Sequence, residues 1–176
     1  MERILVIEDE DPLRKDVMEM LTYEGFDVLG APNGENGLTL ARHHLPDVIV
    51  CDIMMPGAYK GFDVLAELRK DRVTALIPFI FLTARTDRMD QRTGMELGAD
   101  DYLTKPFKIA ELLSAINTRL QKRRELLEMS EEKLETLREN ITTSLPHELR
   151  TPLNTIIGFS DMMVADAHTI QPDQIA

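Results

Sequence analysis

Short runs rich in β-forming residues alternate with longer segments of helical spacing over the first part of the chain. The runs at 4–7, 48–51 and 78–82 are continuously apolar, which is typical of parallel strands covered on both faces, whereas those at 27–30 and 101–103 have the pattern of edge strands. Apolar residues spaced by three and four predict helices between the runs, at 12–23, 34–43, 62–69 and 88–97. This alternation predicts an α/β fold, and right-handed crossovers would wind it into a doubly wound parallel sheet.

The segment 109–145 differs from what precedes it, because it lacks Gly and Pro and is dense in Glu, Lys, Arg and Leu. It predicts one long helix. Apolar residues recur along it with the seven-residue period of a two-stranded coiled coil, at Leu113, Ile116, Leu120, Leu127, Leu134, Leu137 and Ile141. Arg123, Ser130 and Ser144 occupy the remaining seam positions and weaken it. A parallel homodimer through the helix from Ile109 onward is favoured over a helix that packs only on its own domain.

Length and composition narrow the class of protein. The 176 residues allow one globular domain of roughly 120 residues and an appendage. The net charge of −11 argues against a nucleic-acid partner, since phosphate contacts need clustered Lys and Arg. Cys51 is the only cysteine, so no intramolecular disulfide can form, and the cytoplasm is the expected location. No apolar run approaches the ~20 residues of a membrane segment.

Polar residues with matching chemistry stand where the predicted strands end. Glu8 and Asp9 follow the first strand, Asp52 the third, Thr83 the fourth and Lys105 the fifth. The carboxyl ends of parallel strands meet at one edge, so these side chains should converge. Clustered carboxylates favour a hard divalent cation, and Mg²⁺ fits best. A phosphoryl group on Asp52 would be neutralised by that ion and by Lys105, with Thr83 donating a hydrogen bond.

These residues resemble the receiver domain of bacterial response regulators. The matching motifs extend over residues 1–120 and are Ile7-Glu8-Asp9, Asp52-Ile53-Met54-Met55-Pro56, Thr83-Ala84 and Lys105-Pro106-Phe107. The resemblance implies a flavodoxin-like, five-stranded sheet of order 2-1-3-4-5. It also implies that Asp9, Asp52 and the backbone carbonyl of Met54 bind Mg²⁺, with Glu8 acting through water.

The same resemblance implies two further features. The peptide bond between Lys105 and Pro106 should be cis, and Tyr102 should be a switch residue that turns inward when Thr83 moves toward the phosphoryl group. The loop from Gly57 to Gly61 is one residue longer than is usual in that family, which leaves the geometry beside Asp52 open.

A second resemblance lies in the C-terminal part. Residues 147–154 read His-Glu-Leu-Arg-Thr-Pro-Leu-Asn, which is similar to the phosphoacceptor box of sensor histidine kinases. It implies that His147 accepts the γ-phosphoryl group of ATP, that Glu148 assists and that Thr151 positions water. Pro152 should bend the helix. Pro146 should loosen it at Leu145.

The favoured interpretation divides the chain into a receiver domain at 1–120, a coiled-coil signalling helix at 121–143 and an incomplete phosphoacceptor domain at 144–176. It describes the N-terminal part of a hybrid histidine kinase, in which phosphorylation of Asp52 controls transfer to His147 through a dimeric coiled coil. No nucleotide-binding motif is present, so ATP would act only through a domain absent from this chain. The expected partners are an upstream histidine kinase or phosphotransfer protein and a downstream response regulator.

Two alternatives stay open. The first is a stand-alone dimeric response regulator or relay protein without kinase output, in which phosphate moves between Asp52 and His147 or a partner. The second is a small phosphatase with an aspartate nucleophile, which is disfavoured because that family needs a second acid where Met54 stands.

Overall fold

The computed structural model describes the backbone of residues 1–84 and 98–169 and the side chains of residues 1–84, 98–138 and 153–163. The helix predicted at 88–97 therefore lies outside the described residues. By their contacts the residues form two compact units, Met1–Glu125 and Leu126–Ala176. The described helices include none that is both long and apolar enough to cross a membrane.

The first unit contains a five-stranded parallel sheet. Its strands are β1 (Arg3–Ile7), β2 (Asp27–Ala31), β3 (Val48–Asp52), β4 (Phe79–Ala84) and β5 (Asp101–Lys105). They pair in the order β2-β1-β3-β4-β5, which confirms the predicted doubly wound topology. The described helices are α1 (Asp11–Tyr23), α2 (Gly34–His44), α3 (Gly61–Lys70) and α4 (Ile109–Thr169).

Strands β4 and β5 each extend two residues past the ends predicted from their apolar runs. The ladder between them continues through the pairs Thr83 with Thr104 and Ala84 with Lys105. Backbone hydrogen bonding therefore carries the strands beyond the last apolar side chain. Asp52 is likewise the last residue of β3 and not the first residue after it.

The sheet separates two apolar clusters, one on each face. Leu5 and Ile7 point to the face covered by α2 and α3, and Ile4 and Val6 point to the face covered by α1 and the start of α4. This alternation follows the two-residue period of a strand. The central strands β1, β3 and β4 are buried on both faces, as their continuous apolar runs predict.

Helix α4 contains 61 residues and continues through Pro146 and Pro152 without a break. The helix therefore does not end at residue 145, where the run without Gly and Pro stops. The loosening expected at Pro146 and the bend expected at Pro152 stay predictions. A proline removes only one backbone donor, and the hydrogen bonds of the adjacent turns can maintain the helix around it.

The predicted coiled-coil seam is wrong for its first part. Ile116 and Leu120 are fully buried against the cluster of α1 and the sheet, so they serve the core of their own domain. Arg123, predicted to lie on the dimer axis, instead donates to the carbonyl of Asp47 at 2.9 Å. An amphipathic helix presents the same apolar spacing to its own sheet as to a partner helix, which is why the sequence does not distinguish the two.

Candidate functional site

The polar residues predicted at the strand ends converge at one edge of the sheet. Glu8 and Asp9 follow β1, and Asp52 ends the neighbouring strand β3. One carboxylate oxygen from each of the three lies within 4.8 Å of the others. Glu8 and Asp52 are buried, with 1% and 7% of their surface exposed, while Asp9 is exposed. The predicted acidic cluster is thus present.

Lys105, the last residue of β5, reaches into this cluster. Its Nζ lies 2.6 Å from Oδ2 of Asp52 and 2.7 Å from Oε2 of Glu8, so one ammonium group bridges two carboxylates. Only 22% of the lysine side chain is exposed. Charge-assisted hydrogen bonds of this length in a poorly solvated place are among the stronger polar contacts in proteins.

Burial and charge set the protonation of this cluster. Burial raises the pKa of Glu8 above its usual 4.5, the hydrogen bond from Lys105 opposes that shift, and the neighbouring charge of Asp52 adds to it. Burial alone would lower the pKa of Lys105, but its hydrogen bonds to Asp52 and Glu8 outweigh burial and raise that pKa above 10.5. Lys105 is therefore a permanent cation at neutral pH, placed beside Asp52.

The backbone around Asp52 orients its side chain. Oδ1 of Asp52 accepts a hydrogen bond from the backbone N–H of Met54 at 3.1 Å, while the Met54 side chain is exposed. Gly61 lies against the same strand end, and a Cβ at that position would stand 2.4 Å from the carbonyl oxygen of Asp52. Only glycine permits this approach. Sequence reasoning proposed the carbonyl of Met54 as a ligand but missed its N–H and missed Gly61.

The loop that the sequence marks as one residue longer than usual packs on α2. A Cβ at Gly34, the first residue of α2, would lie 2.4 Å from the carbonyl oxygen of Tyr59 and 2.8 Å from its Cβ. Gly57 turns the chain with a φ of +110°, where glycine is favoured. The loop thus packs against α2 at Tyr59 and against the end of β3 at Gly61.

Thr83 and Tyr102 lie on neighbouring strands beside the cluster. Thr83 is 4% exposed, and its hydroxyl donates to the carbonyl of Ala84 at 3.1 Å. The ring of Tyr102 stacks on Phe81 with centroids 5.4 Å apart and packs against the cluster of the α2 and α3 face. The movement of these two residues stays a prediction. The peptide bond between Lys105 and Pro106 is cis, as predicted.

His147, Glu148 and Thr151 fall within the backbone of α4, but their side chains lie outside the described residues. Their roles in phosphoryl transfer stay predictions.

Comparison with known proteins extends the description of the site. Residues 4–117 match the response regulator receiver domain family. The DNA-binding response regulator MtrA of Mycobacterium leprae (strain TN) is 35% identical over 178 residues, covering 99% of this chain and 74% of the relative. The probable transcriptional regulator ycf27 of Porphyridium aerugineum is 42% identical over 121 residues, covering 69% of this chain but only 49% of the relative, so the chain spans about half of that protein.

Solved structures show the same fold. A response regulator receiver domain protein from Clostridium thermocellum superposes with a TM-score of 0.67 at 31% identity, covering 72% of this chain and 99% of that one. The chemotaxis protein CheY4 of Vibrio cholerae gives a TM-score of 0.64 at 29% identity, with 67% and 98% covered. Both likenesses are of receiver-domain size.

The prediction of a protein histidine kinase parent is contradicted by these comparisons. The relatives are response regulators, one of them aligned along 99% of this chain, and the matched family is the receiver domain. The eight residues from His147 onward amount to about two helical turns. A run of that length carries no nucleotide-binding element, so it is too small a signal to assign a kinase.

Proposed function

The chain belongs to the response regulator receiver family, and from that premise we propose that it works in two-component signalling by accepting a phosphoryl group on Asp52. The observation that supports this most directly is the ammonium of Lys105, which contacts Asp52 at 2.6 Å inside a cluster of three carboxylates. A cation held by a purely structural ion pair needs one carboxylate. A third carboxylate repels the other two, and this repulsion is relieved when a divalent metal ion binds between them for phosphoryl transfer.

In the proposed reaction a carboxylate oxygen of Asp52 attacks the phosphorus of the donor. A new P–O bond forms, the bond between phosphorus and the donor breaks, and the donor leaves with the electron pair of that bond. The N–H of Met54 holds one carboxylate oxygen in place, and Lys105 neutralises charge that develops on the phosphoryl oxygens. The donor would be a phosphohistidine of an upstream histidine kinase or phosphotransfer protein.

The acidic cluster fits Mg²⁺. Its converging groups are all oxygen donors, which this ion prefers, and one carboxylate is exposed enough to admit it. Asp9, Asp52 and the carbonyl of Met54 would hold the ion, with Glu8 acting through water. When bound, the ion supplies positive charge opposite the phosphoryl group. ATP has no role in this proposal.

We propose that phosphorylation changes the conformation of the residues beside the site and of α4. Thr83 would move toward the phosphoryl group and Tyr102 would follow, which changes the surface of β5 and the adjoining part of α4.

Exposed apolar residues in the second unit, among them Leu127, Leu134 and Leu137, are proposed to pair with a second copy. Light scattering that gives a monomer mass at micromolar concentration would contradict this dimer.

His147 is proposed as a second phosphoryl acceptor, assisted by Glu148 and Thr151. In that role the chain is a relay protein in which phosphate moves between Asp52 and His147 or a downstream regulator. The proposal rests on the sequence of this segment and on its helical backbone.

A second candidate function is control of DNA binding. Relatives such as MtrA are named as DNA-binding response regulators, so the expectation of no nucleic-acid partner lacks support from the comparisons. The net charge of −11 disfavours a DNA surface on these residues themselves. Titrating labelled duplex DNA with the chain, with and without phosphorylation, separates the two: saturable binding that weakens with salt would favour DNA control.

The test of the main proposal uses the purified chain, Mg²⁺ and radiolabelled acetyl phosphate. We expect one base-labile label, as an acyl phosphate gives, and its loss in Asp52→Asn. An acid-labile, base-stable label that disappears in His147→Gln would support the relay. A well-folded chain that takes up no label would overturn the proposed function. Asp47→Asn is the matched control, since Asp47 lies in the loop before β3 and pairs with Arg123.

A further inference from the structure

The loop between β1 and α1 carries Glu8 and Asp9, and a partly buried arginine closes it. Nη1 of Arg14, on the first turn of α1, donates to the backbone carbonyl of Glu8 at 2.7 Å. The same guanidinium pairs with the carboxylate of Asp11. Only 13% of the Arg14 side chain is exposed. The loop is thus held from its strand end to its helix end by one side chain.

Glu8 is fixed by four hydrogen bonds, and Arg14 provides one of them. Its N–H donates to the carbonyl of Ala31 at 3.0 Å and its carbonyl accepts from Arg14. Its carboxylate accepts from Lys105 and, at 3.4 Å, from the backbone N–H of Glu10. Glu8 is 1% exposed, so an unpaired carbonyl there would cost free energy. The stem of Arg14 reaches this carbonyl across Gly30, where a Cβ would lie 3.6 Å from Cδ of the arginine.

Asp9 depends on the loop backbone for its orientation. Within the described residues its carboxylate forms no hydrogen bond or ion pair. The N-cap of α1 is Glu10, whose side chain makes no capping hydrogen bond, so the usual device that fixes the start of a helix is missing at this point. The contacts of Arg14 span this uncapped turn from Glu8 to Asp11.

We propose that Arg14 is a positioning residue for the divalent-cation site: it holds the loop so that the carboxylates of Glu8 and Asp9 face that of Asp52. The inference rests on the proposed function, because it assumes that the cluster binds Mg²⁺. Arg14 acts through the backbone of Glu8 and contacts neither the ion nor the phosphoryl group. Loss of a group that orients a metal ligand from behind in this way typically lowers metal affinity by about 10- to 100-fold.

The test measures Mg²⁺ binding by calorimetry on the full chain without a phosphodonor. In Arg14→Met, which keeps a stem of similar length but removes both contacts, we expect the Mg²⁺ affinity to fall about tenfold, as is typical when a supporting group behind a metal ligand is lost. Arg14→Lys retains one donor and should restore part of the loss. The control is Lys15→Met, since Lys15 pairs with the same Asp11 at 2.6 Å but is 71% exposed.

The outcomes separate this inference from the proposed function. If the unchanged chain binds Mg²⁺ and Arg14→Met binds it equally well, the positioning role is overturned while the function stands. If the unchanged chain binds no Mg²⁺, the proposed function itself fails. Should Arg14→Met fold poorly, Arg14→Lys decides: unchanged affinity in that variant together with faster amide exchange at residues 8–10 would reduce Arg14 to a structural role.

Discussion

Lys105 distinguishes the cluster from an ordinary acidic patch. Exposed acidic groups are common on protein surfaces, but here a poorly exposed ammonium joins the two buried carboxylates, Glu8 and Asp52. In the absence of the metal ion this cation offsets part of the repulsion between them. The site can therefore fold without its ion and still present negative charge to it.

The pKa of Glu8 predicts a pH dependence of stability in Mg²⁺-free buffer. Burial raises that pKa above 4.5, so between the unfolded-state and folded-state pKa values Glu8 binds a proton more tightly in the folded state than in the unfolded state. Stability is then lost as the pH rises from about 4.5 through the folded-state pKa, because the unfolded state binds fewer protons. Glu8→Gln lacks this titration. We expect its free energy of unfolding to increase relative to the unchanged chain between pH 4 and pH 7.

Urea denaturation across that pH range measures the difference. A constant gap between the two proteins would contradict the raised pKa of Glu8. Lys105 gives a second pH dependence, at alkaline pH. Its pKa is raised above 10.5, so its contribution to the free energy of unfolding is complete below that value and is lost as the pH rises through the folded-state pKa.

Among single residues, the sequence identified those at the carboxyl ends of the predicted strands. Glu8, Asp9, Asp52, Thr83 and Lys105 could be predicted because parallel strands bring their carboxyl ends to one edge. Arg14 and Gly61 could not, since each depends on a contact between elements. An arginine in the first turn of a helix and a glycine at the first position of a helix have many common explanations.

At the scale of elements, the last turns of α4 in the first unit are tied to the opposite edge of the sheet from the acidic cluster. Nη1 of Arg123 donates to the carbonyls of Asp47 at 2.9 Å and Pro46 at 3.4 Å, and Arg124 pairs with Glu2. These residues precede β3 and β1. Leu120 is the last residue of this helix in the apolar cluster, and the contacts of Arg123 and Arg124 hold the turn that follows.

Removing the Arg123 contacts should loosen that turn. For Arg123→Ala we expect the free energy of local opening at residues 120–125 to fall by about 1 kcal/mol, the usual net value of an intramolecular hydrogen bond, because partial exposure screens the charge of the guanidinium. Amide hydrogen exchange measures it. Lys122→Ala, at an exposed position on the same turn, should leave the exchange unchanged. Equal protection in both variants would show that the helix is held without Arg123.

The elements show where sequence patterns stop being informative. The starts and ends of α1, α2 and α3 lie within one residue of those predicted, because Gly, Pro and charged residues mark them. The partner of α4 could not be predicted, since Ile116 and Leu120 satisfy a core and a coiled coil equally well. Strand ends were missed where pairing with a neighbour, not apolar character, determines the last residue.

At the scale of the whole molecule, the alternation of strands and helices was sufficient to predict a doubly wound parallel sheet, and the motifs at the strand ends carried the family resemblance. The assignment of a kinase parent failed because it rested on one helical segment and not on a folded domain. A domain is identified by many residues brought together from distant parts of the chain. A short motif on a single helix brings together only its own neighbours.

The sheet separates the two apolar clusters, so we expect each cluster to contribute independently to the free energy of unfolding of the domain. Substitutions on opposite faces fall in separate apolar clusters, so their effects should add to within about 0.5 kcal/mol. We expect this for Val64→Ala, on the α2 and α3 face, combined with Ile116→Val on the other face. Val17→Ala with Ile116→Val, both in one cluster, should deviate from additivity.

Urea denaturation of the single and double variants measures both cycles, and coupling above about 1 kcal/mol between opposite faces would contradict independence. If the faces are independent, each can accumulate substitutions without compensation from the other. The face against α2 and α3 is then free to diverge while the face that carries α4 stays the same. Descendants of this domain could vary one side and inherit the other.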